Sequence, residues 1–228
     1  MPPTGYSYSF LHMRTIPAEG RPRPTFIEAA RRAQIVDATI SVVAENGYKA
    51  ASFARIAKRA SISPGLITYH FDKKEALMRA VLETIEARLD AAMADQPENT
   101  DDESYPAALE GMLMRFVRYC ARDGDQVSAM TEIRRQKHVA EIGEAVAISH
   151  RSGSEEMINF IEEGQAHGQF RDMDAALYTS VLMSVMGEVP GLLRGRDCDQ
   201  IEVFAQQWPS LYVHAIASAD TDSEGKRK

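Results

Sequence analysis

The sequence has few cysteines and no long apolar run, so it lacks the patterns that form a disulfide framework, a cysteine metal centre or a membrane-spanning helix. Its two cysteines, Cys120 and Cys198, lie far apart and lack the paired spacing that a disulfide framework or a metal site needs. No apolar run approaches the roughly 20 residues that a membrane-spanning helix requires. The first residues also lack the pattern of a signal peptide. We therefore expect a cytoplasmic protein with no metal, no other cofactor and no membrane partner.

Common catalytic motifs are missing as well. The six histidines include no H-E-x-x-H pair, and neither G-x-S-x-G nor G-x-x-x-x-G-K-[ST] occurs. Carboxylates are plentiful, but they are scattered over polar helix faces, where solvation explains them. We expect that the protein is not an enzyme.

Charge is distributed unevenly along the 228 residues, whose formal net charge is −7. Residues 21–80 hold eleven basic and five acidic side chains, a net +6, whereas residues 91–228 hold thirteen basic and twenty-four acidic ones, a net −11. A basic amino-terminal part on an acidic body is typical of a DNA-binding module joined to a domain that need not touch nucleic acid. An accidental gradient would look the same, so charge alone does not decide the function.

The apolar periodicity predicts an all-α fold. Helical spacing dominates from Phe26 onwards, and no sustained period-two run is bounded by hairpin turns. Asn46-Gly47 supplies the stop of the first helix, and an acidic linker is expected at residues 96–105. Further long helices are predicted at residues 73–95, 106–122, 125–136, 142–167, 173–189 and 198–217.

Residues 52–81 carry the pattern of a helix-turn-helix. Ser52 suits the N-cap of a first short helix, and Ser63-Pro64 suits the start of a second one. Ser61 occupies the turn, where glycine would be cheaper if the backbone is left-handed. In this motif the first helix crosses the phosphates and the second helix enters the major groove. A helical protein-interaction module is the alternative, but it would not explain the net +6 of this region.

The side chains expected to face DNA follow from this motif. Gly65 would let the second helix approach DNA closely, while Ile67 is its internal anchor. Thr68 can contact a thymine methyl group or a base edge, and Tyr69 and His70 can donate hydrogen bonds to phosphates.

Two lysines begin the next helix. Lys73 and Lys74 lie at the positive end of a helix dipole, where a phosphate partner would explain their presence. For Lys73 alone, a solvated lysine is an equally good explanation. The full set of expected DNA-binding residues is Ser52, Ser63, Pro64, Gly65, Leu66, Thr68, Tyr69, His70, Lys73 and Lys74.

This part of the chain resembles the TetR family of transcriptional regulators over about fifty residues. The matching positions, at fixed spacing, are Ile35, Ala38, Gly47, Tyr48, Ser52, Ile56, Ala57, Ala60, Ser61, Ile62, Ser63, Gly65, Ile67, Tyr69, His70, Phe71, Lys74, Glu75 and Leu77. Two positions depart from the family pattern: Thr68 replaces an aromatic residue, and Ser61 replaces the turn glycine. Because of these departures, the operator sequence does not follow from the resemblance.

The resemblance implies an N-terminal three-helix helix-turn-helix DNA-binding domain at residues 26–72. A helical ligand-binding and dimerisation domain would follow at residues 73–218, with flexible tails at residues 1–25 and 219–228. It also implies a homodimer that binds a palindromic double-stranded operator, usually represses, and is released by a small-molecule inducer. An activator with no small-molecule inducer is the alternative within the family.

A methionine-rich set of apolar residues would line the interior of the second domain, and such interiors adapt to irregular apolar ligands. For any single member, plain core packing is the simpler explanation. Arg134, Arg135 and His138 form a polar cluster nearby that would either select an anion or end a solvated helix. The candidate ligand-binding residues are Met112, Phe116, Tyr119, Met130, Ile133, Met157, Phe160, Ile161, Met183 and Met186.

The last two predicted helices are candidates for dimer contacts. Residues 175–189 are apolar on nearly all sides, and residues 201–215 carry an apolar stripe that Pro209 should bend or interrupt. They would form a four-helix interface with a second copy, or else an internal core helix with a covering helix. The candidate interface residues are Tyr178, Leu182, Val185, Phe204, Trp208, Leu211 and Tyr212.

The proline-rich first 25 residues are expected to be a mobile tail. Met13 is a candidate for the native start. Arg14, Arg21 and Arg23 are candidates for minor-groove contacts, although a disordered leader is the simpler interpretation.

Overall fold

A computed structural model of the chain describes residues 25–94, 104–136 and 143–218. In these ranges the structure is helical, which confirms the predicted all-α fold, and one isolated antiparallel bridge pairs Phe170 with Ala217. None of the described helices is both long enough and apolar enough to cross a bilayer. The helices are α1 Phe26–Asn46, α2 Phe53–Ala60, α3 Pro64–His70, α4 Lys74–Ala94, α5 Tyr105–Arg134, α6 Gly143–Ala166, α7 Ala175–Met186, α8 Val189–Leu192 and α9 Cys198–His214, with a 3₁₀ turn at Tyr48–Ala50.

Some sequence predictions fall outside the described residues. They concern His138, Met13, the arginines at positions 14, 21 and 23, most of the linker at 96–105, and the two tails apart from Thr25.

Helix α1 is capped at both ends by local sequence. At its start Thr25 and Glu28 form a capping box, in which the Glu28 N–H donates to Thr25 Oγ1 (3.3 Å) and the Thr25 N–H donates to Glu28 Oε2 (2.8 Å). At its end Gly47 takes φ 80° and its N–H donates to the carbonyl of Val43. The predicted stop at Asn46-Gly47 is confirmed, whereas the capping box was not anticipated.

The helix-turn-helix forms where the sequence predicts it. Ser52 caps α2 by accepting the N–H of Arg55 (3.3 Å), and Pro64 is the first residue of α3. Between the helices Ser61 adopts φ 54° and ψ 43°, a left-handed conformation that is unfavourable for a residue with a Cβ. Ser63 stands at the N-cap position of α3 but its side chain makes no capping hydrogen bond.

Helix α5 contains the break that was predicted between helices at residues 106–122 and 125–136. It runs from Tyr105 to Arg134 as two helical segments that meet at one non-helical residue, Asp123 (φ −126°, ψ 31°). A single residue outside the helical region kinks the path while the hydrogen bonding continues on both sides.

The carboxyl-terminal helices correct two further predictions. The predicted helix 173–189 ends at Met186, with Gly187 at its C-cap, and the short α8 then begins at Val189. Pro209 does not interrupt α9, which continues through it from Cys198 to His214. A capping box of Asp197 and Gln200 starts this last helix.

By internal contacts, the chain divides into two compact units. Among the described residues, the first unit holds 25–88, 123–136 and 143–152, and the second holds 89–94, 104–122 and 153–218. The first unit therefore extends past the boundary expected at residue 72, to include most of α4 and the second half of α5. The division of α5 falls at the non-helical Asp123.

Candidate DNA-binding surface

Helix α3 is anchored by one face and presents the other. Ile67 and, just after the helix, Phe71 are 0% and 1% exposed, so both side chains belong to the core of the first unit. Tyr69, by contrast, is 72% exposed, which is unusual for a large aromatic ring. Of the expected DNA-binding residues, Ser52, Ser63, Pro64, Gly65, Thr68, Tyr69 and Lys73 are exposed, and Leu66, His70 and Lys74 are half-buried.

Gly65 has no packing reason to be glycine. A Cβ placed on it would meet no atom within 4 Å, so nothing in the chain itself needs the space. Glycine inside a helix costs about 1 kcal/mol relative to alanine. A partner outside the chain that needs close access to the start of α3 would account for this residue.

The carboxyl-terminal end of α3 is held by α1. Arg32 donates from Nη1 to the carbonyl oxygen of His70 (2.9 Å), and its guanidinium lies 4.1 Å from the centroid of the Phe71 ring. Glu28 also faces this end of α3, near Tyr69 and His70. Hydrogen bonds from the backbone and then the side chain of Thr25 lower the pKa of Glu28, with smaller contributions from His70 and Tyr69.

Part of the positive charge on α2 is committed to contacts within the chain. Arg59 makes two hydrogen bonds to the carboxylate of Glu45 (2.6 and 3.1 Å), and Arg55 donates to Asn46 Oδ1 (2.7 Å). Both contacts are exposed, so each stabilises the fold by about 1 kcal/mol or less and leaves the charges accessible from solvent.

Lys74 occupies a position that its sequence context did not reveal. Its Nζ donates to the carbonyl oxygen of Tyr48 (3.0 Å) and lies 4.0 Å from the centroid of the Tyr48 ring. Because an ammonium group has three N–H donors, this contact does not by itself exclude a phosphate. The phosphate contact at Lys74 stays a prediction.

Lys73 lines an open groove of about 420 Å³ in the first unit. Acidic and basic side chains alternate around it, so the groove has no dominant charge. Desolvation raises the pKa of Glu83 in this lining, and the positive charge of Arg79 opposes that shift. The lining residues are Arg32, Asp72, Lys73, Glu75, Ala76, Arg79, Ala80 and Glu83.

Arg134 does not form the anion-selecting cluster considered from the sequence. Its Nη2 lies 3.3 Å from Glu86 Oε1, and the Glu86 carboxylate is buried. Burial lowers the pKa of Arg134, while Glu86 opposes that shift. The guanidinium is thus part of an ion pair inside the first unit.

The candidate ligand-binding residues are divided between the two units. Met130 and Ile133 belong to the first unit, because they follow the kink at Asp123. They therefore fall in a different compact unit from the rest of the set, and the ligand-binding role of all ten residues stays a prediction. The other eight, all in the second unit, are Met112, Phe116, Tyr119, Met157, Phe160, Ile161, Met183 and Met186, of which Phe160 and Met183 are half-buried and the rest buried.

The candidate dimer residues on α7 and α9 mostly face inward. Leu182 and Trp208 are buried within the second unit, and the Tyr178 hydroxyl donates to the carbonyl oxygen of Tyr212 (3.1 Å). Phe204, Trp208 and Tyr212 form a continuous row of ring contacts along α9. Val185, Phe204 and Tyr212 are half-buried, and only Leu211 of the predicted set is exposed.

The exposed apolar side chains of these helices overlap with the predicted set only at Leu211. Leu177, Val181, Val203 and Leu211 are all at least half exposed, the last of them at 69%. Leu177 and Val181 are four residues apart on α7. Val203 and Leu211 are eight residues apart on α9, so the members of each pair lie on one face of their helix. Hydrophobicity alone did not reveal which face of each helix points outward.

Comparison with known proteins points to one family. A profile of the family described as "Bacterial regulatory proteins, tetR family" matches residues 35–81, which hold most of α1, all of α2 and α3 and the start of α4. The HTH-type transcriptional regulator BetI of Escherichia coli O17:K52:H18 is 30% identical over 89 residues, a stretch that is 37% of this chain and 46% of that relative. The chain thus matches less than half the length of that regulator.

Solved structures resemble the chain over a greater length. A bacterial regulatory protein of the tetR family from Rhodococcus RHA1 superposes with a TM-score of 0.68 at 22% identity, covering 83% of this chain and 98% of that one. The transcriptional regulator FadR from Bacillus subtilis, solved in complex with stearoyl-CoA, gives a TM-score of 0.63 at 20% identity, covering 79% and 97%. At these identities the likeness establishes the fold. The helix-turn-helix region is thus similar to that of the tetR family of bacterial regulatory proteins, and the chain shares its fold with solved structures of that family.

Proposed function

We propose that the protein is a transcriptional regulator that binds a double-stranded DNA operator by inserting α3 into the major groove. The observation that carries this proposal is the geometry of α3, whose inner face is fixed by the buried Ile67 while Tyr69 and Gly65 stand exposed on the other. Seven of the ten expected DNA-binding residues are exposed before any partner binds. The net +6 of residues 21–80 supplies the electrostatic attraction to phosphate.

The proposed active form is a homodimer. Large apolar side chains grouped on exposed helix faces are typical of interaction surfaces, and α7 and α9 each carry such a pair, Leu177 with Val181 and Val203 with Leu211. A two-fold pair would present two copies of α3 to half-sites about 34–36 Å apart on one face of B-DNA. The operator is therefore expected to be palindromic.

The proposed regulation is release of the operator when a small molecule binds the second unit. Support comes from its core, which contains Met112, Met157 and Met186 among aromatic and aliphatic neighbours. Such a core repacks around irregular apolar ligands more easily than an aliphatic one. The same fold accommodates stearoyl-CoA in the Bacillus subtilis protein. Repression in the absence of this effector is the proposed default, and its site of action is the cytoplasm.

Selection of bound fragments from a random duplex pool tests the proposal. We expect enrichment of a palindrome whose half-sites are about one helical turn apart, bound with an affinity that falls steeply as salt rises. Substitution of the exposed Tyr69 should reduce enrichment, whereas substitution of Arg194, an exposed residue of the second unit, should not. Absence of duplex binding at low ionic strength, without effector, would contradict the proposal.

A further inference from the structure

The second half of α5 makes polar contacts within the first unit to α4 and to the turn that precedes α2. Glu132 Oε1 accepts the backbone N–H of Tyr48 (3.3 Å), 84 residues away in sequence. Gln126 Oε1 accepts from Arg88 Nη1 (3.4 Å), and Arg88 Nη2 also reaches Asp37 Oδ1 (2.7 Å) on α1. Contacts of this kind join the second half of α5 to α4 and to the turn that follows α1.

Tyr48 is the residue through which the Glu132 contact reaches the DNA-binding surface. The side chain of Tyr48 is buried, and its backbone is bonded on both sides of the residue. Its N–H donates to Glu132, and its carbonyl oxygen accepts from Lys74 Nζ, which also lies over its ring. A shift of Tyr48 would therefore move the partner of Lys74 at the first residue of α4.

The local sequence leaves the Tyr48 N–H dependent on an acceptor from elsewhere. The first N–H groups of any helical turn have no partner within that turn, and the N-cap residue here is Gly47, which has no side chain to supply one. A Cβ at position 47 would lie 3.5 Å from Glu132 Oε1, so the carboxylate is packed closely against this turn. The side-chain amide of Gln136 is 3.4 Å from the same oxygen and helps to orient it.

We propose that Glu132 is a positioning residue for DNA binding, which holds Tyr48 and through it Lys74 in the geometry needed to meet a phosphate. This inference rests on the proposed function, because measuring its effect on affinity requires that the protein bind duplex DNA. It assigns to the second half of α5 a role in the DNA-binding unit itself, in addition to any role in sensing an effector. The carboxylate acts as a hydrogen-bond acceptor, so its charge is not required.

Three full-length variants test this role. Glu132→Leu removes the acceptor, Glu132→Gln keeps an oxygen in the same place without the charge, and Asp125→Leu removes one negative charge from an exposed position in the same half of α5. Amide hydrogen exchange at Tyr48, measured without DNA, reports the contact directly. Affinity for the selected duplex and its salt dependence report the consequence.

We expect Glu132→Leu to speed exchange at the Tyr48 amide by about tenfold and to weaken duplex binding by about five- to tenfold, as loss of one hydrogen bond implies. Glu132→Gln should stay within about twofold of the parent in both measurements. Asp125→Leu should leave Tyr48 exchange unchanged and should not weaken binding, because loss of negative charge near DNA favours association.

Two results would overturn the inference. One is unchanged Tyr48 exchange in Glu132→Leu, and the other is a Glu132→Gln variant as weak in DNA binding as Glu132→Leu. A general loss of stability would accelerate exchange throughout the first unit, whereas the positioning role confines the effect to the turn around Tyr48. A parent protein that binds no duplex would overturn the proposed function and the DNA role of Glu132 together, while the exchange data would still decide whether the contact exists.

Discussion

The guanidinium of Arg32 lies 4.1 Å above the ring of Phe71 and at the same time donates a hydrogen bond to the carbonyl oxygen of His70. One side chain of α1 thus satisfies a carbonyl at the end of α3 and covers the aromatic residue that follows it. The end of a seven-residue helix would otherwise leave its last carbonyls to solvent. The orientation of α3 is therefore set by a residue 38 positions earlier in the chain.

Arg32→Met should lower both stability and DNA affinity. The methionine keeps a long apolar stem but loses the charge and the donor, so we expect the free energy of unfolding to fall by about 1 kcal/mol. Urea denaturation measures this change. Arg31→Met is the matched control. The Arg31 side chain donates a hydrogen bond to Gln34 on its own helix, so it does not contact α3 through this bond. Equal effects of the two substitutions would contradict the role given to Arg32.

Tyr69→Ala should separate DNA binding from stability. Because the ring is 72% exposed, its removal is expected to change the free energy of unfolding by about 0.5 kcal/mol or less. Duplex affinity should fall clearly, and the oligomeric state should not change. Fluorescence anisotropy with the selected duplex and size-exclusion chromatography provide the two measurements. A variant that dissociates or unfolds would show instead that Tyr69 is a structural residue.

Lys74→Ala is expected to lower stability and also to reduce the salt dependence of DNA binding, whereas the sequence alone suggested only the phosphate contact. Loss of the contacts to Tyr48 should cost about 1 kcal/mol of stability. Loss of a phosphate contact should reduce the slope of log affinity against log salt by close to one. Measuring stability and the salt slope separates the internal role of Lys74 from its phosphate contact. A lower stability with an unchanged salt slope would leave Lys74 with an internal role alone.

The contact between Arg118 and Glu202 in the second unit should be visible in an acid titration. Hydrogen bonding to Arg118 (2.6 and 3.2 Å) is the main cause that lowers the pKa of Glu202 below the ordinary glutamate value. A carboxylate whose pKa is lowered in the folded state stabilises the fold at any pH above its ordinary pKa. This contribution is lost as the pH falls through the lowered pKa. Carboxyl chemical shifts should therefore give Glu202 a midpoint below 4.5, the unperturbed value.

Arg118→Met should return the Glu202 midpoint towards that unperturbed value. Arg122→Met, on the same helix, should leave it where it is. A Glu202 midpoint that ignores both substitutions would show that the contact does not persist in solution.

Leu211→Glu should dissociate the proposed dimer. A carboxylate in the middle of an apolar interface loses hydration without gaining a partner, and the exposed Leu211 can be changed without disturbing the core of its own chain. Sedimentation velocity should show a monomer of unchanged helical content. Asn159→Glu, at an exposed position on α6 in the same unit, introduces the same charge outside α7 and α9 as a control. A Leu211→Glu protein that remains dimeric would place the interface elsewhere.

Local signals in the sequence were sufficient to predict the helix-turn-helix. The stop at Gly47, the cap at Ser52, the left-handed turn at Ser61 and the buried Ile67 all follow from residue type and spacing. The same kind of signal was present but unused at Thr25 and Glu28, whose spacing is that of a capping box.

Contacts between distant parts of the chain were not predictable in this way. Nothing in the residues around Glu132 indicates that its carboxylate meets Tyr48, because that contact depends on how α5 packs. The same holds for the outward face of α9, where hydrophobicity marked both Trp208 and Leu211 although only the second is exposed. Pro209 shows a further limit, since a buried proline was accommodated within the helix without ending it.

Ser61 keeps its left-handed backbone at a cost of about 1 kcal/mol or more. The helix-turn-helix is therefore less stable than its fold allows, and the side chain of Ser61 accounts for the difference. Replacing Ser61 with glycine should give a more stable protein for crystallisation with a DNA duplex, and it leaves the sequence of α3 unchanged.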